Sequence, residues 1–269
     1  MNIYKFTHIL DNKFKIGFEI EICVRNEDKL KNILLNLNNE ILFHNDGSIN
    51  PNNKLYKGIE ILTPPLLASD AINLLEKIFE IIKNNNCFTN KSCGLHVNIS
   101  PIKKGDYFKV NPFWLANQSI WKKMKKTFKR ERNKYCQNIK ISRIIKKNPT
   151  SFLKYVKDGK FWNYDTGIYS CTLKKKAEAK NSIALWHLLN ELNTHRRLKR
   201  IKRPIKCHFH YAVCNFWNYH SKRQRDSRLE IRAMGGIDYH LKFDKIIHYV
   251  NKTLEIIQKS YLKKLSLKS

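Results

Sequence analysis

Glycine and proline are scarce, at 9 and 7 of 269 residues, too few for a collagen-like repeat or a Gly/Pro-rich linker. The 7 cysteines are odd in number and contain no C-x-x-C pair, which predicts reduced thiols in a cytosol-like compartment. No uncharged apolar run approaches the roughly 20 residues of a membrane span. At the N-terminus, Lys5, Asp11, Lys13 and Lys15 interrupt the apolar residues, so a signal-peptide core is lacking. No Gly-rich phosphate loop with its lysine is present, which excludes P-loop and kinase chemistry. The expected address is cytoplasmic, without membrane contact.

What the chain does have is apolar residues and positive charge. At 42% hydrophobic it is not a disordered tail, and its length suits one domain over residues 1–269 with a core of its own. Net charge is +30, unevenly spread. Residues 1–100 balance 11 basic against 11 acidic residues, whereas 101–232 carry 34 against 8. Coding bias toward lysine would have raised both stretches alike. The basic middle therefore points to a polyanion or an acidic substrate.

Periodicity gives the order of elements. Residues 14–24 alternate as a strand, and 27–38 set Leu30, Ile33, Leu34 and Leu37 on one helical face. The turn cluster 44–53 leads to a short strand, YKGIEIL, which Thr63-Pro64-Pro65 stops. Ser69 is placed to cap a helix that Asn84-Asn85-Asn86 ends. GLHVNIS (94–100) is a third strand. Residues 114–130 and 181–198 are predicted helical. Segments 206–217 and 228–234 are predicted strands, and a helix over 242–262 closes the chain. Residues 103–205 read as a basic helical insertion.

Alternate strand residues share a face. Gly17, Glu19 and Glu21 oppose Ile16, Phe18, Ile20 and Ile22, and Glu60 opposes Ile59 and Ile61. His96, Asn98 and Ser100 oppose Leu95, Val97 and Ile99, while Arg228, Glu230 and Arg232 oppose Leu229, Ile231 and Ala233. An ordinary exposed face in this lysine-rich chain would carry Lys, Asn and Thr. This one carries four glutamates and a histidine. Clustered carboxylates repel unless a cation sits among them, and carboxylate oxygens with one imidazole suit Mg²⁺ or Mn²⁺. The flanking arginines suit a phosphate chain.

These residues carry a resemblance. G-F-E-I-E (17–21), D-G-S (46–48), G-I-E-I-L-T-P-P (58–65), C-G-L-H-V-N (93–98) and R-L-E-I-R (228–232) resemble, in order, the motifs of the amidoligase family. That family is part of the carboxylate–amine ligase superfamily of glutamine synthetase and glutamate–cysteine ligase. R-x-x-Y-C (Arg132 to Cys136) and Y-A-V-C-N (211–215) resemble weaker landmarks of it. The resemblance implies an α+β fold: an antiparallel sheet open as a half-barrel, with ATP and divalent metal on its polar concave face and helices on the other. It implies Glu19, Glu21, Glu60, His96 and Glu230 as metal ligands, and Arg228 and Arg232 as phosphate contacts and, with Glu60, catalytic residues. Many amidoligases have a second histidine where this chain has Asn98, which can still donate to a phosphate oxygen. The implied reaction passes a phosphoryl group from ATP to a carboxylate, and an amine then displaces it to give an amide.

Other constellations have plainer readings. Asp46-Gly47-Ser48 is as much a turn as a substrate contact. Cys207, His208, His210 and Cys214 lack a standard zinc spacing, and a Cys93–His96 dyad is a remote alternative. Trp121, Met124 and Phe128 recur at helical spacing as core. Three basic runs, 121–134, 195–206 and 220–228, interleave with aromatics and suit nucleic acid or an acidic peptide. Two rivals stay open on the residues alone: a metal-dependent nuclease, and a non-catalytic nucleic-acid-binding protein on the same fold.

Overall fold

The computed structural model describes residues 14–101, 115, 118–133, 136, 214–215 and 228–262. Their architecture is α+β, an antiparallel sheet that does not close, with helices against it. The strands are β1 (Phe14–Val24), β2 (Leu42–Asn45), β3 (Lys57–Leu62), β4 (Leu66–Leu67), β5 (Gly94–Pro101), β6 (Cys214–Asn215) and β7 (Leu229–Gly235). Their order is β2-β3-β1-β5-β7-β6, with β4 also paired to β1. Four helices accompany them among the described residues: α1 (Glu27–Leu37), α2 (Ala68–Asn84), α3 (Ile120–Thr127) and α4 (Phe243–Leu262). None of the described helices is long and apolar enough to cross a membrane.

The apolar sheet face forms as the alternation predicts. Ile16, Phe18, Ile20, Ile22, Ile59, Ile61, Leu95, Val97, Ile99, Leu229 and Ile231 are all buried. They join Leu75, Phe79 and Ile82 of α2 and Ile246, Val250 and Leu254 of α4 in one core. Edge-to-face rings link these layers, Phe79 lying 5.9 Å from Tyr239 and 6.2 Å from Phe243. Trp121, Met124 and Phe128 are core as expected, and Thr127 Oγ1 lies 2.7 Å from the Tyr249 hydroxyl of α4. Helix α3, at the head of the proposed insertion, thus packs into the main core. The rest of 103–205, the helix expected at 181–198 and most of the strand 206–217 lie outside the described residues.

Three local expectations are corrected. Ser69 does not cap α2. The helix starts at Ala68 after Leu67, because Leu66 and Leu67 are held extended against Ile16 and Lys15 and the chain turns straight into the helix. His44 and Asn45 are not turn residues: they belong to β2, opposite Glu60 and Ile59. The third helix is shorter than 114–130 on its described part, ending at Thr127 in a chain reversal through Lys129. Elsewhere local chemistry matches. Asn26 caps α1 by accepting the Lys29 N–H at 3.0 Å, with Glu27 and Asp28 in the first turn.

Candidate metal and active site

Strand register assembles the polar face row by row. His44, Glu60 and Glu21 are opposite one another on β2, β3 and β1. Glu19 is opposite His96, and Gly17, Asn98 and Glu230 form the next row across β1, β5 and β7. A bulge on the β5–β7 ladder between Leu95 and Val97 shifts the pairing beside His96. Four segments far apart in sequence thereby meet on one imidazole.

His96 Nδ1 lies 2.9 Å from Glu19 Oε2 and 3.4 Å from Glu230 Oε1, and Nε2 lies 3.4 Å from Glu21 Oε1. One ligand atom each from Glu19, Glu60 and His96 falls within 4.8 Å of the others, close enough to share a cation. Glu21 Oε2 accepts the Gly94 N–H at 2.5 Å. Asn98 Nδ2 donates to Glu19 Oε1 at 2.8 Å, while its buried Oδ1 has no partner among the described residues. Arg232 Nη1 pairs with Glu230 Oε1, and Arg228 Nη2 stands 3.7 Å from Glu19 Oε1. Glu19, Glu21, Glu60, His96, Asn98, Arg228, Glu230 and Arg232 are thus gathered on one face.

The electrostatics are those of carboxylates short of positive charge. Burial works against the Glu19 carboxylate, but the His96 hydrogen bond and charge, Asn98 and Arg228 outweigh it and bring its pKa down to about 2. Glu60 goes the other way, to about 7, through burial and the charges of Glu19, Glu21 and Asp46, with His96 opposing. Burial and Arg232 push the His96 imidazole down, yet Glu19, Glu21 and Glu230 leave it raised overall. Arg232 is held further in its charged form by Glu230, Glu19 and Glu21 against its burial. Both shifts favour the protonated forms of Glu60 and His96, which offsets negative charge on this face as a divalent cation would. Oxygen donors with one imidazole fit Mg²⁺ or Mn²⁺.

The chain matches the family model described as "Putative amidoligase enzyme" over residues 27–236, well over half its length. It belongs to that family. No curated protein matches the chain. The matched span takes in Glu60, His96, Asn98, Arg228, Glu230 and Arg232 but begins after β1. Glu19 and Glu21 therefore join this amidoligase site through strand pairing.

Other sequence candidates fall elsewhere. Asp46 accepts from Ser48 N–H at 2.7 Å and Ser48 Oγ at 2.9 Å, a local turn whose charge still reaches Glu60. Cys93 Sγ turns to Cys23 Sγ at 3.9 Å, and that contact and burial raise its pKa, so it forms no dyad with His96. Cys207, His208 and His210 lie outside the described residues. His44, beside Asn45 only a faint metal-nuclease signal in the sequence, was undervalued, and Arg130 was missed. His44 Nδ1 comes within 3.7 Å of Glu60 Oε2 from an edge strand too short to show alternation. Arg130 is 3% exposed and reaches the end of the polar face, whereas Arg132 of the R-x-x-Y-C landmark is exposed.

Proposed function

We propose that this amidoligase joins a carboxylate to an amine at the expense of ATP, with Mg²⁺ or Mn²⁺ bound among Glu19, Glu21, Glu60, His96 and Glu230. The observation that carries the reading is the convergence of Glu19, Glu60 and His96 ligand atoms within 4.8 Å, on a face where burial and the neighbouring carboxylates raise the pKa of Glu60. On this reading the open sheet is the half-barrel of the glutamine synthetase superfamily, in a cytoplasmic protein. A bound divalent ion would screen the negative charge of the ATP phosphates and of the transferring phosphoryl group. Arg228, with a side chain 40% exposed, would reach a phosphate oxygen, and Arg232 would steady charge beside Glu230. Asn98 would orient Glu19 while offering its unpartnered Oδ1 to a donor.

The substrate carboxylate attacks the γ-phosphoryl group, and ADP leaves. The amine then attacks the acyl phosphate, releasing phosphate and a proton and leaving the amide. The +26 charge of 101–232 favours an acidic or polyanionic substrate, nucleic acid included. Lys122, Lys123, Lys126 and Lys129 form an exposed basic edge on and beside α3, consistent with that class.

The test is interception. The protein is incubated with ATP, Mg²⁺, hydroxylamine and a panel of carboxylates from amino acids to acidic peptides. The expected result is a hydroxamate formed one-for-one with ADP and phosphate. Release of AMP and pyrophosphate would replace the acyl phosphate with an adenylate. Divalent-dependent cleavage of DNA or RNA without ATP turnover would transfer the site to the nuclease reading.

A further inference from the structure

At one end of the polar face two paired strands contribute no side chain: Gly94 of β5 is opposite Gly235 of β7. The space above them is filled by Arg130, from the turn that follows α3. A Cβ on Gly94 would lie 3.1 Å from Arg130 Nη1, 3.1 Å from Glu21 Oε1 and 2.7 Å from His96 Nε2. A Cβ on Gly235 would overlap Arg130 Nη1 outright. Nη1 donates to the carbonyls of Cys93 at 3.0 Å and Met234 at 2.7 Å, the residues just before the two glycines. The Cys93 carbonyl also accepts the Gly236 N–H at 2.8 Å. The peptide so clamped is the one whose N–H, that of Gly94, holds Glu21 Oε2 at 2.5 Å.

Core packing gives no reason for a cation here. Arg130 is buried, its Nε has no partner, and it enters no ion pair among the described residues. Burying an unpaired guanidinium is costly, and a hydrocarbon side chain would pack the space without that cost. Such a cost is retained where a site needs it.

We propose that Arg130 is a positioning residue of the carboxylate site. It fixes the Cys93–Gly94 peptide so that Glu21 Oε2 is held by the strand, leaving Oε1 directed to His96 and the cation position. It also sets a permanent positive charge behind the glutamates. This deepens the divalent-metal reading above and rests on it for its effect on metal affinity, though not for its effect on the Gly94 peptide.

The experiment compares wild type, Arg130→Ala, Arg130→Lys and Val250→Ala, a change in the apolar core. Two quantities are read: hydrogen exchange of the Gly94 amide in metal-free protein, and Mn²⁺ affinity by calorimetry. In Arg130→Ala, Gly94 exchange should quicken by about tenfold or more. Mn²⁺ affinity should fall about 10- to 100-fold, as for outer residues that orient ligands. Added guanidinium at low millimolar concentration should restore part of both, and Arg130→Lys should fall between. Val250→Ala should lower the Tm and leave Mn²⁺ affinity unchanged. Wild-type exchange and affinity in Arg130→Ala would overturn the proposal, as would an equal affinity loss in Val250→Ala. If Arg130→Ala does not fold, Arg130→Lys decides by the same two readings. Faster Gly94 exchange in a protein whose wild type binds no Mn²⁺ would support the clamp and overturn the divalent reading instead.

Discussion

The two faces of β1 are made of alternate residues of one strand, and both are shut off from water for opposite reasons. On one face Ile16, Phe18, Ile20 and Ile22 are at most 1% exposed, and each apolar side chain so buried contributes about 1.5–3 kcal/mol. On the other, Glu19 and Glu21 are buried at 9% and 5% exposure, where desolvating the carboxylates consumes most of what pairing returns. The same backbone therefore holds a stabilising face and a face near break-even. The first supports the second: the site's charges stay in place because the strands beneath them are fixed by the core.

Breaking each face in turn should separate these roles, and the largest effect is on turnover. Glu19→Gln should cut divalent-dependent ATP turnover by about a hundredfold or more, since it removes a cation ligand and the partner of His96. It should also cost the metal-free protein about 1–3 kcal/mol, because His96, Asn98 and Arg228 lose the negative charge they share. Acid should act likewise: with a pKa lowered to about 2, the Glu19 contribution is present above about pH 4.5 and is lost as pH falls toward 2. An unchanged metal-free Tm in Glu19→Gln would mean that the glutamate is not paired as described. Ile20→Ala, one residue along on the other face, should cost about 2–5 kcal/mol in chemical denaturation. Mn²⁺ affinity per folded molecule should stay the same, and a large loss there would erase the distinction between the faces.

Glu60 sharpens the comparison within the polar face. Its pKa is raised to about 7, so the folded state takes up its proton more readily than the unfolded one. The resulting stability is present in full below about pH 4.5 and is lost as pH rises through 7. His96, also raised, extends the loss above its ordinary 6.5. The metal-free protein should thus lose about 1–2 kcal/mol between pH 5 and 8, after allowance for solvent screening. Mg²⁺ should flatten that slope by replacing the protons. Glu60→Gln should flatten it without Mg²⁺ and leave stability at pH 7 equal or higher, the opposite of Glu19→Gln. Melting curves across pH with and without Mg²⁺ check both, and a metal-free slope of the other sign would refute the assignment of the protons.

How much of this was legible follows from where the information lay. Alternation in FKIGFEIEICV, GLHVNIS and RLEIRAM placed the strands and divided their faces, because a residue's face depends only on its neighbours in sequence. Hence Glu19, Glu21, Glu60, His96 and Glu230 could be named before their contacts were known. Sequence could not show which residue would lie opposite which. The convergence of three glutamates on His96 depends on register and on the bulge beside Val97. β2 and β4 have four and two residues, too few for a period, so His44 was read as a turn. Arg130 gave no signal at all. One cation among many, it is singled out only by the glycine pair beneath it and by the reversal that aims it there.

That reversal connects the two faces and carries the smallest prediction. Helix α3 packs Trp121 and Met124 into the core, and its end must turn Arg130 toward the polar side. It does so with a Schellman pair: Arg130 N–H donates to Lys125 O at 2.8 Å and Lys129 N–H to Lys126 O at 3.1 Å. The motif needs a left-handed residue at its corner, which Lys129 supplies at φ 54°. A non-glycine side chain there costs roughly 1–2 kcal/mol relative to its preferred conformations. Glycine removes that strain but brings more backbone freedom to the unfolded chain. Lys129→Gly should therefore stabilise the protein by about 0.5–1 kcal/mol in urea denaturation. Because the corner's geometry is kept, Gly94 exchange and Mn²⁺ affinity should match wild type. Lys129→Val should do the reverse, since a β-branched residue tolerates positive φ poorly. It should loosen the corner and weaken Mn²⁺ binding through Arg130. If both substitutions change stability while Lys129→Val leaves Mn²⁺ affinity at the wild-type value, the turn serves the core alone.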